Sequence, residues 1–426
     1  MAINTKKEYR NQVMYSIFVR NYSEEGTFEA VRRDLDRIRD LGVDIIWLMP
    51  IHPIGEVARK GSVGSPYSIS DYRAVNPELG TMEDFRRLAE DIHTKGMKVI
   101  IDVVYNHTSH DSWLAKNHPE WFYHKPDGSL GNRVGDWTDI IDLNYDQRGL
   151  WDYQIETLKM WAQIVDGFRC DVAPLIPLEF WKRARQEVEQ VRPGCIWLAE
   201  SVEPHFVIYN RSRGMIALSD SEIFQAFDIS YDYDIFDIYR EYLIGKRSLA
   251  EYAEAVNRQE GMYPENYVKL RFLENHDRPR ARQTIRDNDA LWNWTAFMYF
   301  QKGMPLLFNG QELGATHQPM LFEKDPVCRE PEVDLTGLLR RLSAIRRDPL
   351  FADSVYEVKA APRDILVAQH AKNGRRIVGV FSVRGESGLV EVALPNGTYE
   401  NLLGGTVEIH DGYLATAGQP IIVKSE

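Results

Sequence analysis

Residues 98–107 read Lys98-Val-Ile-Ile-Asp102-Val-Val-Tyr-Asn106-His107. The run is apolar almost throughout and breaks off into polar residues at its C-terminal end. That is the pattern of a strand buried on both faces of a parallel sheet. The same grammar repeats outward from it. Upstream, 13–18 and 45–49 are strand-like, and Pro50 stops the second. Between them Phe28, Val31, Leu35, Ile38 and Leu41 fall at helical spacing from Thr27, and Gly42 ends that predicted helix. A second helix is predicted over 81–93, with Gly96 as its stop. Downstream, helices are predicted to start near Gly149 and Pro177, and short strands lie near 167–171, 196–199, 268–273 and 305–308. Strands alternating with helices imply a parallel sheet with crossover connections. About eight such units fit before residue 350, so the sheet is a closed barrel or an open doubly wound sheet. No Gly-rich fingerprint follows the first strand, which weighs against a dinucleotide fold.

Two stretches depart from the alternation. Residues 107–145 lack periodicity but hold Trp113, Trp121, Phe122, Tyr123 and Trp137 among polar residues. A loop of that length in a compact domain is usually functional. After Pro349 the pattern turns to strands, near 365–369, 377–383 and 389–394. Asn373-Gly374, Asn396-Gly397 and Asp411-Gly412 read as hairpin turns between them.

The chain has 426 residues, enough at ~100–200 per domain for two to four domains, or for one barrel with a smaller partner. An apolar fraction of 44% excludes disorder as the dominant state. With 51 basic and 63 acidic residues the net charge is −12, which argues against a nucleic-acid partner. Cys170, Cys195 and Cys328 form no CxxC and read as reduced thiols. No apolar run follows Lys6 and Lys7 and none approaches ~20 residues, so neither a signal peptide nor a membrane span is expected. The expected location is the cytoplasm.

In a barrel of this kind, chemistry sits at the C-terminal ends of the strands. Those ends carry Asp102, Asn106 and His107; Arg169 and Asp171 in Gly167-Phe-Arg-Cys-Asp171; Glu200 after Ile196-Trp-Leu-Ala199; and Asn275-His276-Asp277. Acids facing Arg and His across one cleft are the groups that cleave glycosidic bonds, which need an ionised carboxylate and a protonated one. Arg169 and Asp171 are two apart on a strand and share a face, so the guanidinium is expected to aim Asp171 and favour its charged form. Glu200 ends an apolar strand beside other acids and is expected to keep its proton to higher pH.

These segments resemble the four short conserved regions of the α-amylase family, glycoside hydrolase family 13, and the resemblance covers essentially the whole chain. It implies a (β/α)8 TIM barrel over 1–106 and 146–349, a short domain B inserted after the third strand over 107–145, and a C-terminal antiparallel β-sandwich over 350–426. It implies Asp171 as nucleophile, Glu200 as general acid/base and Asp277 as the third acid that stabilises the transition state. It further implies Arg169 orienting the nucleophile, His107 and His276 gripping the sugar, and Tyr67, in Gly64-Ser-Pro-Tyr67-Ser-Ile-Ser-Asp71-Tyr72, stacking on its ring. Asp102 corresponds to a structural partner at the barrel rim. Arg280, three after Asp277, is a candidate to pair with an active-site acid and bind substrate. Glu312 reads as structural.

The chain also departs from the family pattern. Many α-amylases follow the nucleophile with Lys-His, where this sequence has Pro174-Leu175. The leaving-group side is therefore less polar. Asn144 stands where a carboxylate ligand is common. No cofactor is expected, and a structural calcium is not favoured. The string around Tyr67 resembles the cyclomaltodextrinase group and other enzymes acting on oligosaccharides more than it does secreted starch liquefiers, although the N-terminal β domain of that group is not expected here. The implied activity is retaining hydrolysis of α-1,4-glucosidic bonds in maltodextrins or starch-type α-glucans. Transfer of the glycosyl group to a second sugar uses the same acids, and a non-catalytic sugar-binding homologue is a third reading. Sequence leaves oligomeric state open.

Overall fold

Eight short strands close into a parallel barrel in chain order: β1 (Met14–Ile17), β2 (Ile45–Leu48), β3 (Lys98–Val103), β4 (Gly167–Cys170), β5 (Ile196–Ala199), β6 (Ile229–Tyr231), β7 (Val268–Arg271) and β8 (Met304–Phe308). β1 pairs with both β2 and β8, so no strand edge is left open. The computed structural model describes residues 2–425. Every barrel-strand residue except Lys98 is buried, which is why these segments read as continuous apolar runs. Helices return the chain between strands. Met82–Thr94 is started by a reciprocal cap between Thr81 and Asp84. Arg148–Ala162, Leu178–Val188 and Asn288–Phe300 return the chain after later strands. Among the described residues no helix is long and apolar enough to cross a membrane.

Three details differ from the sequence reading. The helix predicted from Thr27 to Leu41 is two helices, Phe28–Arg33 and Leu35–Asp40. The break is at Asp34, whose carboxylate is drawn out of helical geometry by Tyr22, Arg37 and Arg329. β6 escaped the reading because Ile229-Ser-Tyr231 is too short to show a period, flanked as it is by Asp228 and Asp232. Asn396-Gly397 is no hairpin turn: it leads into an edge strand, and Asn396 Oδ1 accepts a bond from the Gly412 amide at 3.1 Å.

The insert after β3 is pinned by a two-residue antiparallel pairing of His107–Thr108 with Ile141–Asp142. It contains one short helix, Trp113–Asn117. Its aromatics pack within the insert and against the helix Arg148–Ala162 that follows it. Trp121 stacks on His118 with centroids 3.8 Å apart, and Trp113 stacks on Tyr153. After the barrel, β9 (Val355–Ala361), β10 (Ile365–Lys372), β11 (Arg375–Ser382), β12 (Gly388–Glu391), β13 (Gly397–Glu400), β14 (Thr406–His410), β15 (Tyr413–Thr416) and β16 (Ile421–Ser425) form two antiparallel sheets. Their orders are β9-β10-β11-β16 and β12-β15-β14-β13. They enclose a small core that includes Ile365, Val380, Val390, Ile409 and Leu414. Phe381 of β11 packs on Phe297 and Phe300, tying the sheets to the barrel.

β4 and β5 carry the residues that matter most below, and Gly167 lets them approach. A Cβ at 167 would sit 2.3 Å from the Ile196 carbonyl oxygen, a backbone atom that cannot swing away. Gly167→Ala is therefore expected to destabilise the protein by about 1–3 kcal/mol in urea unfolding, as overpacking does. An unchanged midpoint would show that the two strands yield.

Candidate active site

Arg169 is fully buried at the mouth of the barrel. It lies opposite Asp102 in the β3–β4 register, with both side chains inside the barrel. Its Nη1 donates to Asp102 Oδ1 at 2.9 Å and to Asp171 Oδ1 at 2.9 Å, and its Nη2 contacts Glu200 Oε1 at 2.8 Å. The guanidinium is walled by the rings of Trp47, Tyr231 and Tyr67 at 5.1, 5.4 and 5.7 Å. One positive charge thus faces three carboxyl groups in an apolar cup.

Charge balance then sets the protonation. Burial raises all three acids, and a shared guanidinium offsets only part of that. Asp102 and Asp171 are each raised to about 6 and Glu200 to about 7. From its spacing two residues away, Arg169 is expected to favour the charge on Asp171. Arg169 does pull it down, but desolvation and the Asp102 charge outweigh it. The order survives nonetheless, since Glu200 holds its proton longest. Glu200 Oε2 also accepts a 2.8 Å bond from the amide of Val172. Val172 has φ 36° and ψ 44°. A β-branched residue rarely adopts this left-handed conformation, which costs on the order of 1–3 kcal/mol. The strained turn directly after Asp171 is what aims that amide at Glu200.

Asp277 behaves oppositely. Its side chain is 41% exposed at the cleft; enclosure by the surrounding protein works against its charge, but His276 Nε2 lies 3.0 Å from Oδ2 and lowers Asp277 to about 2. His276 is correspondingly raised: desolvation opposes its charge and Asp277 wins. Tyr67 stacks on the His276 ring at 5.5 Å, and its hydroxyl lies 2.7 Å from Nε2. His107 is lowered by burial to about 4 and stays a neutral imidazole, 4.0 Å from Asp171 and beside Trp137.

Asp171, Glu200, Asp277, Tyr67, His107 and His276 line one cavity of about 290 Å³, with Arg169 beneath it. Arg280 does not join them. It is buried and spends its donors on Glu274 at 2.6 Å and on the carbonyls of His317 and Asn309. Its guanidinium neutralises Glu274, an acid that desolvation would otherwise leave unpaired, so the substrate-binding expectation for Arg280 is corrected. Glu312 is likewise buried, held by Tyr15 and Arg37. Lys60, Trp137, Asp139 and Phe322 also line the cavity. Trp137 belongs to the aromatic-rich insert that the sequence marks as a candidate sugar wall; Lys60, Asp139 and Phe322 sit on loops with no periodic or motif signal.

The calcium question turns on Asn106, Asp142 and Asn144. Asn106 Nδ2 is 3.2 Å from His107 Nδ1. Asp142 accepts from the Arg133 amide and faces its guanidinium at 3.8 Å. Burial raises the Asp142 pKa, so its unpartnered Oδ1 favours a proton. One carboxylate already facing an arginine falls short of the oxygen cage calcium requires. Among the described residues no group of three or more His, Cys, Asp or Glu stands together as a metal site. The donor set does not fit calcium.

Comparison with known proteins gives two family matches. "Alpha amylase, catalytic domain" matches residues 12–140 and 134–350, and "Bacterial Alpha amylase C-terminal domain" matches 357–423. An alpha-amylase crystal structure from Lactobacillus plantarum is 47% identical, with TM-score 0.97 over 99% of this chain and 100% of that one. A noncanonic maltogenic alpha-amylase from Thermotoga neapolitana is 32% identical, with TM-score 0.87 over 97% and 98%. An alpha-amylase of Haloarcula japonica is 28% identical over 91% of this chain, which spans 57% of that relative's length. An alpha-1,4-glucan:maltose-1-phosphate maltosyltransferase of Myxococcus xanthus is 33% identical over 46% of the chain and 33% of its own.

Two outcomes follow from the site's electrostatics. Glu200 has a higher pKa folded than unfolded, so its stabilising contribution is complete at low pH and is lost as pH rises through about 7. Glu200→Gln is expected to raise Tm by about 2 °C at pH 8 and leave it unchanged at pH 5. An equal shift at both pH values would refute the assignment. Adding a chelator is expected to move Tm by less than about 1 °C, because the donors around Asp142 fall short of a calcium cage. A calcium-dependent rise in Tm would reverse the reading of Asp142.

Proposed function

The chain belongs to the alpha-amylase family, and we propose that within it this protein is a retaining hydrolase of α-1,4-glucosidic bonds in malto-oligosaccharides and related α-glucans. The observation that carries the reading is the single buried guanidinium shared by Asp171 and Glu200, with Glu200 the later of the two to ionise. Glycosidic cleavage needs that division, one carboxylate charged and one still protonated near neutral pH. Glu200 protonates the glycosidic oxygen as Asp171 attacks the anomeric carbon. The bond to the leaving sugar breaks and a glycosyl ester on Asp171 forms. Glu200, now a carboxylate, takes a proton from water, which opens the ester and regenerates both groups.

The remaining residues position and stabilise. Asp277 stays ionised beside His276, and the pair binds sugar hydroxyls next to the reacting carbon. Tyr67 offers a ring face to the apolar side of the sugar and to the cationic transition state. His107, neutral, donates or accepts without repelling the developing positive charge. Arg169 touches the two reacting carboxyls and holds their relative orientation. The division into barrel (1–106 and 146–349), insert (107–145) and C-terminal sandwich (350–426) belongs to the same proposal.

One feature favours a second reading, transfer to another sugar. The sequence has Pro174-Leu175 where many family members carry a polar Lys-His, and relatives include maltosyltransferases. Incubation with maltotriose and chromatography separates the two. Glucose and maltose are the expected products, with longer sugars marking transfer. Glu200→Gln is expected to lower kcat by about 10²–10⁴-fold. The wild-type rate is expected to fall as pH rises above about 7, where Glu200 loses its proton. Unaltered turnover in that variant would remove Glu200 from the mechanism.

A further inference from the structure

Three loops meet over one side of the cavity. Loop 55–66 follows β2, loop 132–140 belongs to the insert after β3, and loop 316–328 follows β8. Lys60 ties the first to the second: its Nζ lies 2.9 Å from Asp139 Oδ1 and 2.9 Å from the Asp136 carbonyl oxygen. The first and third are joined by the Val63 amide, which donates to the Phe322 carbonyl at 3.2 Å, and by the Ser62 amide, which donates to Glu323 at 2.9 Å. Arg20, buried beneath, donates to the Gly64 carbonyl at 3.0 Å and to the Leu321 carbonyl at 2.6 Å. Lys60 also stands over the Phe322 ring at 5.9 Å. These contacts make a continuous arch.

The barrel order says which side of the substrate the arch covers. With eight strands in chain order, β5 lies diametrically across from β1, which β2 and β8 flank. Glu200, the proton donor to the leaving group, follows β5, so the leaving sugars lie on that side. The arch rises from the ends of β2 and β8, so it stands over the retained sugars. The cavity behind it holds about 290 Å³, the low end of small-molecule pockets.

We propose that the Lys60–Asp139 pair, backed by Phe322, closes the retained-sugar side of the site and so makes the enzyme read the non-reducing end of a short α-glucan chain. The pair determines specificity: it decides where along a chain the cut falls. This rests on the hydrolase reading above. An enzyme with an open retained-sugar side accepts any internal segment, whereas a closed one needs a free chain end and has no room for a substituent there.

The test compares a maltoheptaoside with the same compound carrying a 4,6-ethylidene block on its non-reducing glucose. Wild-type enzyme is expected to cleave the blocked compound at least about tenfold more slowly, the factor that roughly 1.4 kcal/mol of steric and ion-pair closure gives. Lys60→Ala and Asp139→Asn are each expected to raise the blocked-to-unblocked ratio of kcat/KM severalfold, and Lys60→Arg to keep it low. Equal wild-type rates on the two compounds would overturn the proposal without any variant. So would ratios unchanged in both Lys60→Ala and Asp139→Asn. Failure to cleave either compound would instead overturn the hydrolase reading beneath it.

Discussion

The guanidinium of Arg169 has no exposed surface and faces Asp102, Asp171 and Glu200 together. Everything else at the mouth of the barrel answers to that arrangement. A buried charge is tolerable only when paired and hydrogen-bonded, and Arg169 is paired threefold. Three acids against one cation leave an excess of negative charge in a low-dielectric cup. The excess is relieved by proton uptake, first at Glu200. The same burial that makes the site costly to build therefore supplies a proton donor beside a carboxylate. A fully exposed trio of acids would all ionise well below neutrality and offer no donor.

The scaffold is short where it must be accurate. Barrel strands of three to six residues leave little freedom for the side chains at their ends. Gly167 brings β4 against β5, and the ladder continues past the strands: the Asp171 amide donates to the Val103 carbonyl and the Glu200 amide to the Cys170 carbonyl, both at 3.0 Å. The left-handed turn at Val172 then spends backbone strain to direct one amide at Glu200. Strain of this kind persists where surrounding structure over-determines it, and here it is bounded by a fixed strand on one side and an acid on the other.

Much of this was legible in the chain. The apolar runs announced buried parallel strands, and the acids stood at their ends. Two spacings carried specific information: Arg169 and Asp171 two apart on one face, and His276 next to Asp277. Other features left no mark. A three-residue strand such as β6 has no measurable period. Arg280 sits three residues from Asp277, yet its side chain turns to Glu274, because a fully buried glutamate needs a cation more than the partly exposed Asp277 does. Asn396-Gly397 has the composition of a hairpin turn without its partner strands.

What the sequence alone determined is the alternation of buried parallel strands with helices and which acids stand at the strand ends, because strand burial and strand-end position are local properties written in consecutive residues; closure into a barrel is tertiary. Tertiary structure alone decided the order in which those acids ionise, since that depends on how much water and how many charges surround each group, a sum over β3, β4, β5 and β7. It also decided the shape of the cavity. Lys60 and Asp139, or Ser62 and Glu323, are brought together only when the barrel closes. Contacts between residues up to 261 positions apart leave no periodicity for a reader to find.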